Sequence, residues 1–143
     1  NERRKMIDFQ YIENDKLSNT EDLNLWLNSV ITEENMVIGE LVYVLCNDEY
    51  LLKKNIQFLN HNNLTDVITF DYSGDKIISG DILISTERVV ENSKIFNVNY
   101  LTELNRVMVH GLLHLLGYKD KNEQDANTMR EKENYYLNKF ANN

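Results

Sequence analysis

"HGLLHLLGYKD", residues 110–120, is the most apolar run of an otherwise polar chain, and it carries two histidines four residues apart. In a helix, positions i and i+4 lie on one face, one turn apart. His110 and His114 can therefore offer two imidazoles to one ion. Imidazole is a common zinc ligand, but a zinc site needs three or four donors. Gly117 suits the left-handed end of a helix, and Asp120 follows three residues later. The pair alone would equally fit two core histidines bonded to backbone carbonyls. The glycine and a third donor at this offset favour a metal site made of His110, His114 and Asp120, with zinc the expected ion, although other divalent metals would fit.

The spacing H-x3-H-x2-G-x2-D resembles the helix, glycine turn and returning ligand of metzincin sites, with a carboxylate where histidine is usual. Peptidases of that layout carry Glu directly after the first histidine as general base. Here that position is Gly111, present either for close approach of a strand or substrate or for plain helix–sheet packing. Met129 would floor the site or belong to the ordinary core.

Working outward, "YLTELNRVMVHGLLHLLG" (100–117) reads as one helix capped by Asn99, preceded by a helix at "TERVVENSKIF" (86–96). A last helix is expected from about 122 to 140, with Met129, Tyr136, Leu137 and Phe140 inward. Upstream, "MIDFQYI", "GELVYVLCN", "TDVITFDY" and "KIISGDILIS" read as strands. The last two are joined by a short turn and should pair antiparallel. Thr20 is expected to cap a helix with Leu23, Trp26, Leu27, Val30 and Ile31 inward. Asp48 is expected to cap another with Leu51, Leu52, Ile56 and Leu59 inward. The order β-α-β-α-β-β-α-α-α makes the class α+β: a small mixed four-stranded sheet packed by about five helices, one of them a metzincin-like metal helix.

The chain has 143 residues, enough for one domain spanning 1–143. Fifteen Lys and Arg against 23 Asp and Glu give a formal charge of −8, which argues against a general basic coat for nucleic acid. Arg106, one turn before His110, with Arg88, Lys53 and Lys54, is the candidate for a local phosphate strip; the alternative is solvated surface charge. The single cysteine, Cys46, allows no internal disulfide and fits a cytoplasmic protein. No membrane segment, leader or nucleotide-cofactor motif is expected.

These residues resemble the YbeY family of metal-dependent endoribonucleases, whose signature is H-G-x-L-H-L-x-G-Y-D-H with a later Met. His110, Gly111, Leu113, His114, Leu115, Gly117, Tyr118 and Met129 match it. "TDVITF" (65–70) and "GDILIS" (80–85) are similar to the family's T-[DN]-V-L-S-F and G-D-I-x-I-S. The resemblance spans about residues 36–130. It implies a metal-dependent hydrolase that cuts single-stranded RNA in rRNA 3′-end maturation and ribosome assembly or quality control. Implied partners are an rRNA precursor and the small ribosomal subunit or its proteins. Two positions depart. Lys119-Asp120 replaces Asp-His, so Asp120 stands for the third histidine. Leu59 stands where the family places an arginine linked to activity, and the nearest basic group is His61. His61 acts on phosphate, serves as acid or base, or is an ordinary loop histidine; it and Arg106 are the candidate catalytic residues. The alternatives are a metallopeptidase, motivated by spacing alone, and a non-catalytic assembly factor with a structural metal.

Overall fold

The computed structural model describes residues 6–61 and 64–141. Strands β1 (Asp8–Tyr11), β2 (Val37–Cys46), β3 (Val67–Asp71) and β4 (Ile77–Ser85) alternate with helices in the expected order. The helices are α1 (Thr20–Glu33), α2 (Asp48–Leu59), α3 (Thr86–Phe96), α4 (Tyr100–Leu115) and α5 (Glu123–Ala141). The sheet order is β1-β2-β4-β3. β1, β2 and β4 run parallel, and β3 lies antiparallel on the edge, from Val67 opposite Ile84 to Asp71 opposite Gly80. The mixed α+β sheet read from the sequence is therefore present.

Side chains alternate across a strand, and here the alternation sorts two cores. Leu41, Tyr43 and Leu45 of β2 and Ile82 and Ile84 of β4 face α1, α4 and α5. Val44, Cys46, Ile68 and Leu83 face the other way, under Leu51 of α2. Helix α4 is the spine of the larger core. Its Leu104, Val107, Met108, Leu112, Leu113 and Leu115 are buried, each contributing about 1.5–3 kcal/mol for full burial. Tyr43 Oη donates to Met108 O at 2.8 Å, tying α4 to β2. No helix among the described residues is long and apolar enough to cross a membrane.

Three local expectations shift. Helix α1 is entered through Asn19 rather than Thr20, and neither makes a side-chain cap bond there. Helix α2 is capped by Asn47, not Asp48: Asn47 is extended and accepts from Tyr50 N at 2.8 Å. Asp48 is left to bind Arg88 at 2.8 Å and accept from Ser85 Oγ at 2.7 Å. Ile56, expected inward, is 46% exposed, because α2 buries the stripe through Leu51 and Asn55. At about 100° per residue, Ile56 stands well round from Leu51. Helix α5 buries Met129 and Tyr136 as expected, with Leu137 and Phe140 packed alongside, but Glu133 shares that buried stripe.

The end of α1 is locked to α5 through Glu34. Its carboxylate accepts from Tyr118 Oη at 2.8 Å, from Lys132 Nζ at 3.1 Å and from Tyr136 Oη. Burial pushes this carboxyl up, but the hydrogen bonds from Tyr136, Tyr118 and Lys132 outweigh it and hold the pKa below 4.5. A depressed carboxylate stabilises the fold above its unfolded pKa and loses that contribution as pH falls through the folded value. Glu34→Gln should thus cost about 1.5–3 kcal/mol at neutral pH. The gap from wild type should close below about pH 4.5, as read by denaturant unfolding across that range.

Candidate metal centre

The candidate ligands come from the C-terminal half of α4 and the turn that follows it. The helix itself carries His110 and His114 on one face, with ring centroids 4.7 Å apart. Leu116 closes the helix, and Gly117 turns the chain at φ 106° while its N–H donates to His114 O at 3.0 Å. That reversal returns Asp120 to the histidines. Gly117→Ala would force a side chain into this conformation, at a cost of about 1–2 kcal/mol. It should lower the melting temperature and weaken zinc retention together, because Asp120 hangs from the turn. Equal zinc affinity in wild type and variant, by competition with a chromophoric chelator, would count against that coupling.

The donor atoms form a near-equilateral triangle. His110 Nε2 and His114 Nε2 are 3.1 Å apart, and Asp120 Oδ2 lies 3.4 and 3.3 Å from them. Ligands about 2.0–2.1 Å from a tetrahedral zinc are separated by about 3.3–3.4 Å, so the three donors fit such an ion. This is the one group of three or more His, Cys, Asp or Glu among the described residues with converging ligand atoms.

The outer ring nitrogens fix the tautomers. His114 Nδ1 lies 3.0 Å from Tyr118 O, and a carbonyl only accepts, so Nδ1 carries the proton and Nε2 keeps its lone pair. His110 Nδ1 lies 2.6 Å from Glu133 Oε2. Burial pushes the Glu133 carboxyl up, yet hydrogen bonds from His110 and Arg106 outweigh it and hold it below its ordinary range. Glu133 is therefore an ionised acceptor, and His110 Nε2 also points a lone pair at the triangle. Two lone pairs and a carboxylate oxygen at such separations repel unless positive charge sits among them. Without a cation, a proton serves: burial opposes charging His110, but Glu133, Asp120 and Asp66 outweigh it and raise its pKa above 6.5. A carboxylate behind a ligating histidine is the usual support of a metal site.

Gly111, between the histidines, is needed for packing. A Cβ there would lie 2.7 Å from Ile82 Cγ2 and 3.5 Å from Val67 Cγ2. The strand approaches the helix at the position where peptidases of this layout hold their glutamate.

Other candidate residues separate. His61 lines the same cleft as His110, His114 and Asp120, together with Leu59, Asn55 and Asp66. Arg106, expected to reach phosphate, has Nη1 on Glu133 Oε1 at 2.8 Å and Nη2 on Asn134 Oδ1 at 2.9 Å, behind His110. Arg88 pairs with Asp48, and Lys54 lies over the Tyr50 and Phe58 rings on the α2 side of the sheet. Of the expected basic strip, Arg88 and Arg106 are each turned onto a carboxylate and Lys54 onto two aromatic rings. Met129, 2% exposed, lines a cavity with His110 and Asp120. Tyr118 covers the helix end with its hydroxyl on Glu34 and Lys132 over its ring.

Two residues missing from the sequence reading matter here. Glu133 shows only as an acid on the Met129–Tyr136 stripe, a place where an acid needs a buried partner. Asp66, inside "TDVITF", lines the cleft, accepts from Asn92 Nδ2 at 3.3 Å, and has its carboxyl pushed up by burial.

Comparison with known proteins gives the chain's relatives. The family description "Endoribonuclease YbeY" matches residues 8–141. The "Endoribonuclease YbeY" of Flavobacterium johnsoniae is 48% identical over 135 residues, covering 94% of this chain and 97% of the relative. That of Flavobacterium psychrophilum is 51% identical over 136 residues, covering 94% and 96%. The solution structure of TM1509 from Thermotoga maritima matches with a TM-score of 0.68 at 27% identity, covering 94% of this chain and 89% of that one.

Proposed function

The chain belongs to the endoribonuclease YbeY family, and on that premise we propose that it is a metal-dependent hydrolase cutting single-stranded RNA in rRNA 3′-end maturation. The observation that carries this reading is the triangle of His110 Nε2, His114 Nε2 and Asp120 Oδ2, with both histidines oriented from behind. Zinc is the assigned ion. Asp120 brings a hard oxygen and a negative charge, which tilts the site toward Mn or Mg relative to three imidazoles. A divalent cation held there supplies Lewis acidity at a phosphodiester oxygen and acidifies water.

The remaining work falls to the chain. Glu133 holds the His110 ring through Nδ1, and Tyr118 O holds His114. Arg106 keeps Glu133 ionised and in place, so it is assigned as a positioning residue. His61, which lines the same cleft, is assigned as the phosphate contact or acid–base group in place of the arginine replaced by Leu59. Residues 1–143 are taken as one endoribonuclease domain acting in the cytoplasm on an rRNA precursor at the small subunit.

The test pairs elemental analysis of the purified chain with cleavage of a single-stranded RNA oligonucleotide. About one ion per chain is expected. Cleavage should stop on chelation, return with metal, and be lost in Asp120→Ala. Undiminished cleavage by the chelated protein would overturn the reading. Binding to small subunits by wild type and His110→Ala alike, without cleavage, would favour a non-catalytic assembly role instead.

A further inference from the structure

A second opening lies on the far side of His110, where α4 and α5 meet the segment leading into β3. It is a cavity of about 350 Å³ that shares Asp66, His110 and Asp120 with the metal cleft. That size falls in the range of small-ligand sites, about 300–1,000 Å³. Its wall includes Glu103 of α4, which is only 5% exposed. Burial first, and then the charge of Asp66, push the Glu103 carboxyl above its ordinary range against the pull of Arg106 and Arg130, and the carboxyl takes part in no hydrogen bond among the described residues. Its oxygens are not among the fully buried atoms without a partner, so although the residue is buried they reach the open cavity.

The neighbouring acids are already engaged. Both Glu133 oxygens are taken, by His110 and Arg106, and Asp66 accepts from Asn92. Asp120 belongs to the donor triangle, and Glu103 is the lining acid with no hydrogen-bond partner among the described residues. The ligand is not a second cation, because the carboxylates around Glu103 do not converge as metal donors; among the described residues only the His110–His114–Asp120 group does. Nor is it a phosphate, since acids outnumber Arg106 and Arg130 around the cavity. What fits is a neutral group with two adjacent donors. Phe96, 57% exposed, lines the same cavity and supplies an aromatic surface on which a base can stack.

Among RNA bases, guanine alone presents two neighbouring donors, N1–H and N2–H, on its pairing edge. Adenine and cytosine place a donor beside an acceptor, and uracil has one donor between two acceptors. Single-stranded RNA can splay a base into such a pocket. We infer that this cavity is a base-specificity subsite that takes a guanine flanking the scissile phosphate, with Glu103 accepting from N1–H and N2–H. The inference rests on the endoribonuclease reading above.

The test uses the metal-loaded full chain and single-stranded oligonucleotides holding one variable nucleotide in an otherwise constant sequence. Guanine next to the cut should raise kcat/KM by about tenfold over adenine, the discrimination of a good bidentate pair. Inosine, which lacks the N2 amine, should lose much of that gain, and 7-deazaguanine should keep it. In Glu103→Gln the guanine-to-adenine ratio should fall toward one, a change that general destabilisation would not produce. A wild type indifferent to the base, or one whose preference survives both inosine and Glu103→Gln, overturns the subsite and leaves the nuclease reading intact. Calorimetry with GMP and AMP makes the same comparison without turnover. Failure of all RNA cleavage with GMP still preferred would sink the nuclease reading instead, and equal binding of the two would sink the subsite.

Discussion

Replacing His114 by alanine should reduce RNA cleavage by about 10³-fold or more, equivalent to about 4 kcal/mol of transition-state stabilisation. The reasoning is local. His114 has Nε2 within 3.1 Å of His110 Nε2 and 3.3 Å of Asp120 Oδ2, so its loss leaves two donors. Two donors do not hold a zinc ion firmly. His114 is partly exposed at the helix end, so the variant should fold, and its melting temperature in chelator should stay near that of wild type. Metal content and activity should fall together. Asp120→His is the informative companion: it restores three neutral donors, raises the net charge of the site, and should keep cleavage while favouring zinc over manganese. Full activity in His114→Ala would remove the chemical basis of the assignment.

The second large effect is expected at Glu133, which never touches the donor triangle. Its carboxylate binds His110 Nδ1 through one oxygen and Arg106 Nη1 through the other, and it is 5% exposed. Glu133→Ala leaves the Arg106 guanidinium without its buried counter-charge. Breaking such a pair from one side costs about 3–5 kcal/mol; Arg106 keeps some contact with water, which places the expectation near about 3. Metal affinity should also drop by about 10–100-fold, because the His110 ring loses the acceptor that sets its tautomer. Glu133→Gln keeps the shape and one acceptor oxygen, so it should be milder on both counts. Chemical unfolding and chelator competition separate the two losses. Unchanged metal affinity in Glu133→Ala would show that His110 needs no support from α5.

Much of this architecture could be read before the structure, because it is written in short-range patterns. The α4 helix, its Asn99 cap, the Gly117 turn and the returning Asp120 all lie within a few residues of one another. The antiparallel β3–β4 pair followed from a short connection. What escaped was set by distant packing. Glu133 looks like one more acid in a polar helix until α5 is laid against α4. Lys54, Arg88 and Arg106 read as one strip only until their partners, two aromatic rings, Asp48 and Glu133, are known. Asn19 and Asn47 displaced the expected caps by one position, since either of two adjacent polar residues can enter a helix and backbone geometry chooses. The donor triangle was legible; the residues that aim it were not.

His110, His114, Asp120 and Glu133 all lie within residues 110–133, and in the order of synthesis they follow all four strands. Capturing an ion therefore closes a short span of chain, for which the entropic penalty is small. In a growing polypeptide every strand segment would emerge before the first donor, and the whole ligand set would follow within one short stretch.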